Sequence, residues 1–181
     1  FYIPSWKRSL PPEPLPPGEL AGKCWLVFVD ECGLGERIVK RLQLEGREAI
    51  AVLVGEEFRR ISDRVCTINP ATRADYQALL AELGDRDRQP QVIAHLWNIT
   101  PSDRPLEKAQ VFSYDSLVYL AQALGAREIK HSVQIQVVSN NLQGVWGSEL
   151  LYPEKATILG LCRVIPQEYA QIACRSIDIV L

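Results

Sequence analysis

From Gly22 onward the chain alternates short apolar runs with amphipathic stretches. "CWLVFV" (Cys24–Val29) is unbroken by polar residues and has the length of a strand buried on both faces. "LGERIVKRLQLEG" then puts Ile38, Val39, Leu42 and Leu44 at helical spacing and stops at Gly46, a natural helix C-cap. "EAIAVLV" (Glu48–Val54) and "RVCTIN" (Arg64–Asn69) predict two more strands, and "TRADYQALLAELG" an amphipathic helix ending at Gly84. "PQVIAHLW" (Pro90–Trp97) is a fourth strand. Pro105 to Ala126 is a long helix with Leu117, Leu120 and Leu124 on one face. "SVQIQVVS" (Ser132–Ser139) is a fifth strand. "YPEKATILGLCRVIPQEY" is a helix with a boundary or kink at Pro166, and "ACRSIDIVL" a last strand. Strands alternating with helices require right-handed crossovers, hence an open, mostly parallel sheet with helices on both faces. The class is α/β, Rossmann-like, in one domain over residues 22–181.

The first 21 residues follow other rules. "FYIPSWKRSL" (residues 1–10) alternates apolar and polar positions and predicts an edge strand, where Pro4 is tolerated. Residues 11–21 open with five prolines in ten residues and form an extended linker. The strand is therefore delivered to a sheet from a distance. Tyr2 and Trp6 on it are the candidates for packing between two bodies. The chain contains no methionine, opens inside a strand-like stretch and stops on another. Both ends read as cut from a longer protein.

Composition narrows the chemistry. The net charge of −2 and a pI near 5.8 disfavour nucleic acid as partner, and no stripe of basic and aromatic residues is present. No apolar run reaches the roughly 20 residues that a membrane helix needs, and no secretory signal opens the chain. The five cysteines are scattered without a CxxC pair, and neither histidine stands at ligand spacing from them, so no metal site is expected. Reduced thiols in a cytoplasmic protein are the simpler reading.

The loop "VDECGLGERI" between the first strand and first helix stands where a nucleotide-binding fold cradles phosphate. Against GxGxxG, Gly33 and Gly35 fit, but Ile38 takes the third place. Against TGxxxGxG, Val29 stands in the first glycine place and Phe28 in the threonine place. Asp30 and Glu31 would add negative charge beside a pyrophosphate. The loop Asp30, Gly33, Gly35 is thus degenerate: a strand-to-helix turn in which glycine serves the backbone. Glu56 and Glu57, after the second strand, have no cofactor to serve without it. No YxxxK occurs; Tyr152 and Lys155 in "YPEK" are only three apart. GxSxG, HExxH and the P-loop are absent too. Ser139, Asn140 and Asn141 read as a polar turn, and Trp97 and Trp146 as packing residues at strand ends. No catalytic or cofactor-binding residue is assigned.

"FYIPSWKRS" with its proline-rich sequel, and "ATILGLCRVIPQEYAQIACRSIDI" near the other end, resemble the opening and close of the first half of the ketoreductase region in modular type I polyketide synthases. The resemblance covers nearly the whole chain, with its two ends the most specific parts. In that family the first half is a truncated Rossmann-like structural subdomain without catalysis. The second half binds NADPH and reduces β-ketoacyl groups on acyl carrier protein. The resemblance implies that this chain carries no cofactor, and that its partners are the catalytic half and neighbouring synthase domains of the same polypeptide, directly after Leu181 or beyond an inserted methyltransferase. It also sets Asn141 at the place of the catalytic half's serine, Tyr152 near its tyrosine, and Ala156 where that half has Asn or Lys. Two alternatives remain: a pseudo-ketoreductase scaffold whose catalytic half is dead or missing, and a stand-alone nucleotide-binding protein of the short-chain reductase type.

Overall fold

A computed structural model describes residues 6–10, 22–127, 129 and 131–181. Its sheet has seven strands: β1 (Cys24–Phe28), β2 (Glu48–Val54), β3 (Arg59–Ser62), β4 (Val65–Ile68), β5 (Pro90–Asn98), β6 (Val133–Asn140) and β7 (Ile172–Ile179), in the order β3-β4-β2-β1-β5-β6-β7. All neighbours are parallel except β3 and β4. Without β3 the order becomes third-second-first-fourth-fifth-sixth, that of a doubly wound dinucleotide-binding sheet. The point where the winding reverses lies between β1 and β5.

The helices are α1 (Leu34–Leu44), α2 (Arg73–Asp85), α3 (Leu106–Gln110), α4 (Ser116–Gly125) and α5 (Ile158–Glu168). A wide π turn, Val111–Asp115, joins α3 to α4, and a 3-10 turn, Pro153–Thr157, leads into α5. The predicted helix 105–126 is therefore one path with a wider middle. At that turn Ser113 Oγ donates to the Ala109 carbonyl at 2.6 Å and Ser116 Oγ to that of Phe112 at 2.8 Å. The hydroxyls thus take up carbonyls where the regular spacing changes. The helix α5 runs through Pro166 and ends two residues later at Glu168; the proline forgoes one bond, to the Cys162 carbonyl, in the last turn.

The two sheet faces are covered unequally. One side chain in two along the strands points to a large core that includes Phe28, Ile50, Ile93 and Ile135, roofed by Tyr76, Leu79 and Leu80 of α2, Leu117, Leu120 and Leu124 of α4, and Ile158 and Ile165 of α5. The opposite face holds a smaller cluster, Val27, Ala49, Ala51, Ala94 and Leu96, covered by Leu42 of α1. The expected helices on both faces thus reduce, on this side, to α1 alone. The cause lies between β2 and β4, where a winding of this kind normally inserts a helix and this chain inserts the four-residue strand β3. The truncation is real and has a location. It leaves Leu53 exposed on this face. Toward β6 and β7 the same face carries Gln134, Gln136, Arg175 and Ile177, and polar alternation lets it meet water.

Three local expectations change. Leu44, predicted on the buried stripe of α1, is 77% exposed, because the helix ends there and its last turn clears the sheet. Trp146, expected to pack, is 86% exposed, whereas Trp97 is in the core. Residues 6–10 form no strand, and the remainder of the predicted edge strand and the linker lie outside the described residues, as does Tyr2. Among the described residues no helix is long and apolar enough to cross a membrane.

Candidate functional site

The carboxyl ends of β1, β5 and β6 converge at the reversal point, where open α/β sheets place their ligands. The first part of the site is the β1–α1 turn. Gly33 sits at φ 83° just before α1, a left-handed conformation that other residues adopt at a cost. Gly35 serves close approach. A Cβ there would lie 2.9 Å from Val29 Cα and 3.0 Å from Leu96 Cδ1, so the helix start can lie against the strand end only as glycine. Asp30 fills the space in front. Its Oδ2 accepts from the amides of Cys32 at 2.9 Å and Leu34 at 3.2 Å, and its Oδ1 from that of Gly35 at 2.5 Å. The residue is buried. These are the amides that a pyrophosphate would need at a helix N-terminus. Asp30 therefore does more than repel phosphate: it binds in its stead. Glu31 turns away and pairs with Arg104 at 2.8 Å, whose guanidinium lies 4.6 Å from the centre of the Phe112 ring. The residues present do not fit a dinucleotide.

The second part is a polar cluster at the ends of β5 and β6. Asn140 Nδ2 donates to the Thr100 carbonyl at 2.9 Å, and its Oδ1 accepts from the Thr100 amide at 3.0 Å. Lys155 Nζ donates to Asn140 Oδ1 at 2.7 Å and to the Asn140 carbonyl at 3.1 Å, and lies 4.9 Å from the centre of the Tyr152 ring. Lys155 is only 2% exposed, and burial pulls its ammonium down to about 8. Tyr152 donates its amide to the Asn141 carbonyl at 2.8 Å, and Asn141 holds φ 58° while its Nδ2 donates to the Leu150 carbonyl. The structure thus brings Asn140, Asn141, Tyr152 and Lys155 together. Ala156, which the resemblance set at the Asn or Lys place, is exposed, and its neighbour Lys155 points inward instead. The sequence shows Tyr152 and Lys155 three residues apart, but no pattern signals the burial of Lys155. Two of the three ammonium protons of Lys155 go to Asn140.

The third part is the 141–152 loop. Asp178 on β7 accepts from the amides of Leu142 and Gln143 at 2.8–3.2 Å. The Glu149 carboxylate accepts from those of Val145 at 2.9 Å, Trp146 at 2.6 Å and Gly147 at 2.8 Å, and these bonds hold it down at about 2. So tethered, the loop presents Val145, Trp146, Leu150 and Leu151 to solvent. Trp6 reaches it: its Nε1 donates to the Gly144 carbonyl at 2.8 Å. Loop, Trp6 and the end of β7 border a 540 Å³ groove.

Elsewhere, His95 is fully buried with Nε2 2.9 Å from Ser116 Oγ, and burial pushes its pKa down to about 4, so it is a neutral core residue. Glu57 pairs with Arg59 on the surface. Among the described residues no group of three or more metal-ligating side chains comes together.

Sheet order and reversal point define a Rossmann-like α/β protein of the short-chain reductase shape. The fold matches a short-chain dehydrogenase/reductase from Brucella melitensis at a TM-score of 0.60 and 18% identity, covering 86% of this chain and 74% of that one. Residues 25–180 match the family model described as Beta-ketoacyl synthase-like, N-terminal, and the chain belongs to that family. It is also similar to an adenylation, ketoreductase and pseudo Asub multidomain structure of a keto acid-selecting NRPS module, with 25% identity and a TM-score of 0.79 over 86% of this chain and 13% of that one. An N-terminal ketoreductase from a macrolactin assembly line follows, at 22% identity and a TM-score of 0.69, over 86% and 31%. The chain thus spans less than a third of these assembly-line proteins. No curated protein matches it. The family and these neighbours support the N-terminal structural ketoreductase subdomain that the sequence resembles.

Proposed function

We propose that this chain is the noncatalytic structural half of a ketoreductase in a modular polyketide synthase. It supports an NADPH-dependent catalytic half that reduces β-ketoacyl groups on acyl carrier protein, in the cytoplasm. The observation that carries the reading is Asp30: its carboxylate takes the three amides that a cofactor phosphate would require. NADPH is therefore assigned to the adjoining half, and no catalytic role to Tyr152 or Lys155. Residues 22–181 form the folded subdomain, with Trp6 on the preceding segment as a packing contact.

Surface supports a docking role. Among the described residues β7 is paired along one side only, and beside its other edge stand Ile177 and the apolar residues of the tethered loop. An unpaired strand edge next to apolar surface is a liability unless something covers it.

The test expresses this chain alone and together with the segment that follows it in its gene, and titrates NADPH into both by calorimetry. The expected result is saturable binding by the pair and no heat from the chain alone. Saturable binding by the chain alone overturns the reading. A pair that binds nothing and reduces nothing marks the relic scaffold instead.

A further inference from the structure

The cysteines Cys162 on α5 and Cys174 on β7 belong to a helix and a strand that pack together. Register sets Cys174 beside Ile135, on the sheet face that α5 covers, and both cysteines pack with the large core. Both also line a surface groove of 450 Å³ together with Trp6, Leu159, Arg163 and Ser176. Two cysteines on packed elements that line one groove can be reached by a small solute without unfolding.

We propose that Cys162 and Cys174 form an oxidisable dithiol site, which a hydroperoxide converts to a disulfide linking α5 to β7. In the first step the Cys162 thiolate sulfur attacks a peroxide oxygen. The O–O bond breaks, hydroxide leaves and takes up the proton that Cys162 released, and Cys162 becomes a sulfenic acid. In the second, Cys174 sulfur attacks Cys162 sulfur, its proton leaves with the sulfenic oxygen as water, and the S–S bond forms. The balance is two thiols and one hydrogen peroxide giving one disulfide and two waters. The thiols are oxidised by two electrons and the peroxide is reduced by two.

The other cysteines are poorer candidates. Cys24 and Cys66 are buried strand residues whose thiols burial pushes up, Cys24 to about 12. Cys32 is raised by burial and by the neighbouring carboxylates of Asp30 and Glu31. Cys162 is shifted the other way, toward the thiolate that reacts, chiefly by the neighbouring Cys174 thiol.

The experiment treats the reduced chain with equimolar hydrogen peroxide at neutral pH. It follows intact mass, free thiols after denaturation, and the peptide map under non-reducing conditions. The expected result is loss of two of the five thiols, a mass lower by two hydrogen atoms, and a peptide linking Cys162 to Cys174. Cys32→Ser should behave like the parent, whereas Cys162→Ser and Cys174→Ser should form no intramolecular link. A link through Cys32, oxygen added without a link, disulfide-joined dimers, or no reaction of the folded chain under conditions that oxidise the denatured one would each overturn the proposal. If either serine variant fails to fold by circular dichroism, the peptide map of the parent chain decides alone.

Discussion

Replacing Lys155 by methionine should remove a pH dependence that the parent protein shows. In the folded chain the Lys155 ammonium is held near 8, against an ordinary value of 10.5, chiefly by burial. Glu154 and Asp178 pull it back toward the charged form and Arg104 pushes the other way. Between the two values the unfolded chain holds a proton that the folded chain has released, so stability rises as pH climbs through this window. A gap of about 2.5 pKa units corresponds to about 3 kcal/mol over the full window. Below pH 8 the penalty is present in full. Its counterweight is the pair of bonds from Nζ to Asn140, at about 1.5–3 kcal/mol for a hydrogen bond to a charged group. At pH 7 the Lys155→Met variant should therefore stay within about 1 kcal/mol of the parent, the two effects being of similar size. The informative quantity is the slope. Cys24, held up at about 12, opposes it above pH 9, where the unfolded thiol ionises and the folded one does not. Urea unfolding followed by circular dichroism from pH 7.5 to 9 should show the parent gaining stability with pH relative to the variant. Equal slopes in the two proteins would refute a buried, desolvated ammonium at position 155.

Asp30→Gly removes three hydrogen bonds to a carboxylate at a helix N-terminus and should cost about 2–3 kcal/mol in a urea titration. Added sulfate should restore part of the loss in the variant and leave the parent unchanged, since the exposed amides then find an anion. Glu149 should lose its hold on the loop as pH falls from its ordinary 4.5 toward about 2, because its folded value is depressed and the carboxylate form is the one that the amides bind. Protection of the Val145, Trp146 and Gly147 amides, measured as exchange relative to the intrinsic rate at each pH, should fall over that range, and Glu149→Gln should show the lower protection already at neutral pH.

Much of the fold was legible because buried parallel strands leave a strong mark. The runs at Cys24–Phe28, Glu48–Val54 and Pro90–Asn98 are almost wholly apolar, since both sides of each are covered along much of its length. The strand β3 left no such mark. Its residues Arg59, Arg60, Ile61 and Ser62 are all exposed, and pairing with β4 rather than any pattern of its own makes it a strand. Lys155 was hidden for the opposite reason: lysine is the residue least expected in a core, and only a tertiary partner, Asn140 at fifteen residues' distance, explains it.

The β1–α1 loop shows where charge counting stops being enough. From sequence, Asp30 and Glu31 are two equal negative charges before a glycine turn, and both oppose a phosphate. In the structure they do different things. The Asp30 side chain reaches amides two, four and five residues ahead; the first is an ordinary aspartate turn, and the other two come within range because the start of α1 lies against the end of β1 at Gly35. Glu31, one residue later, pairs with Arg104 instead. Reach and register separate a charge that merely repels an anion from one that replaces it. The replacement is the stronger exclusion, because a phosphate would first have to displace a ligand already held by three bonds in a buried place.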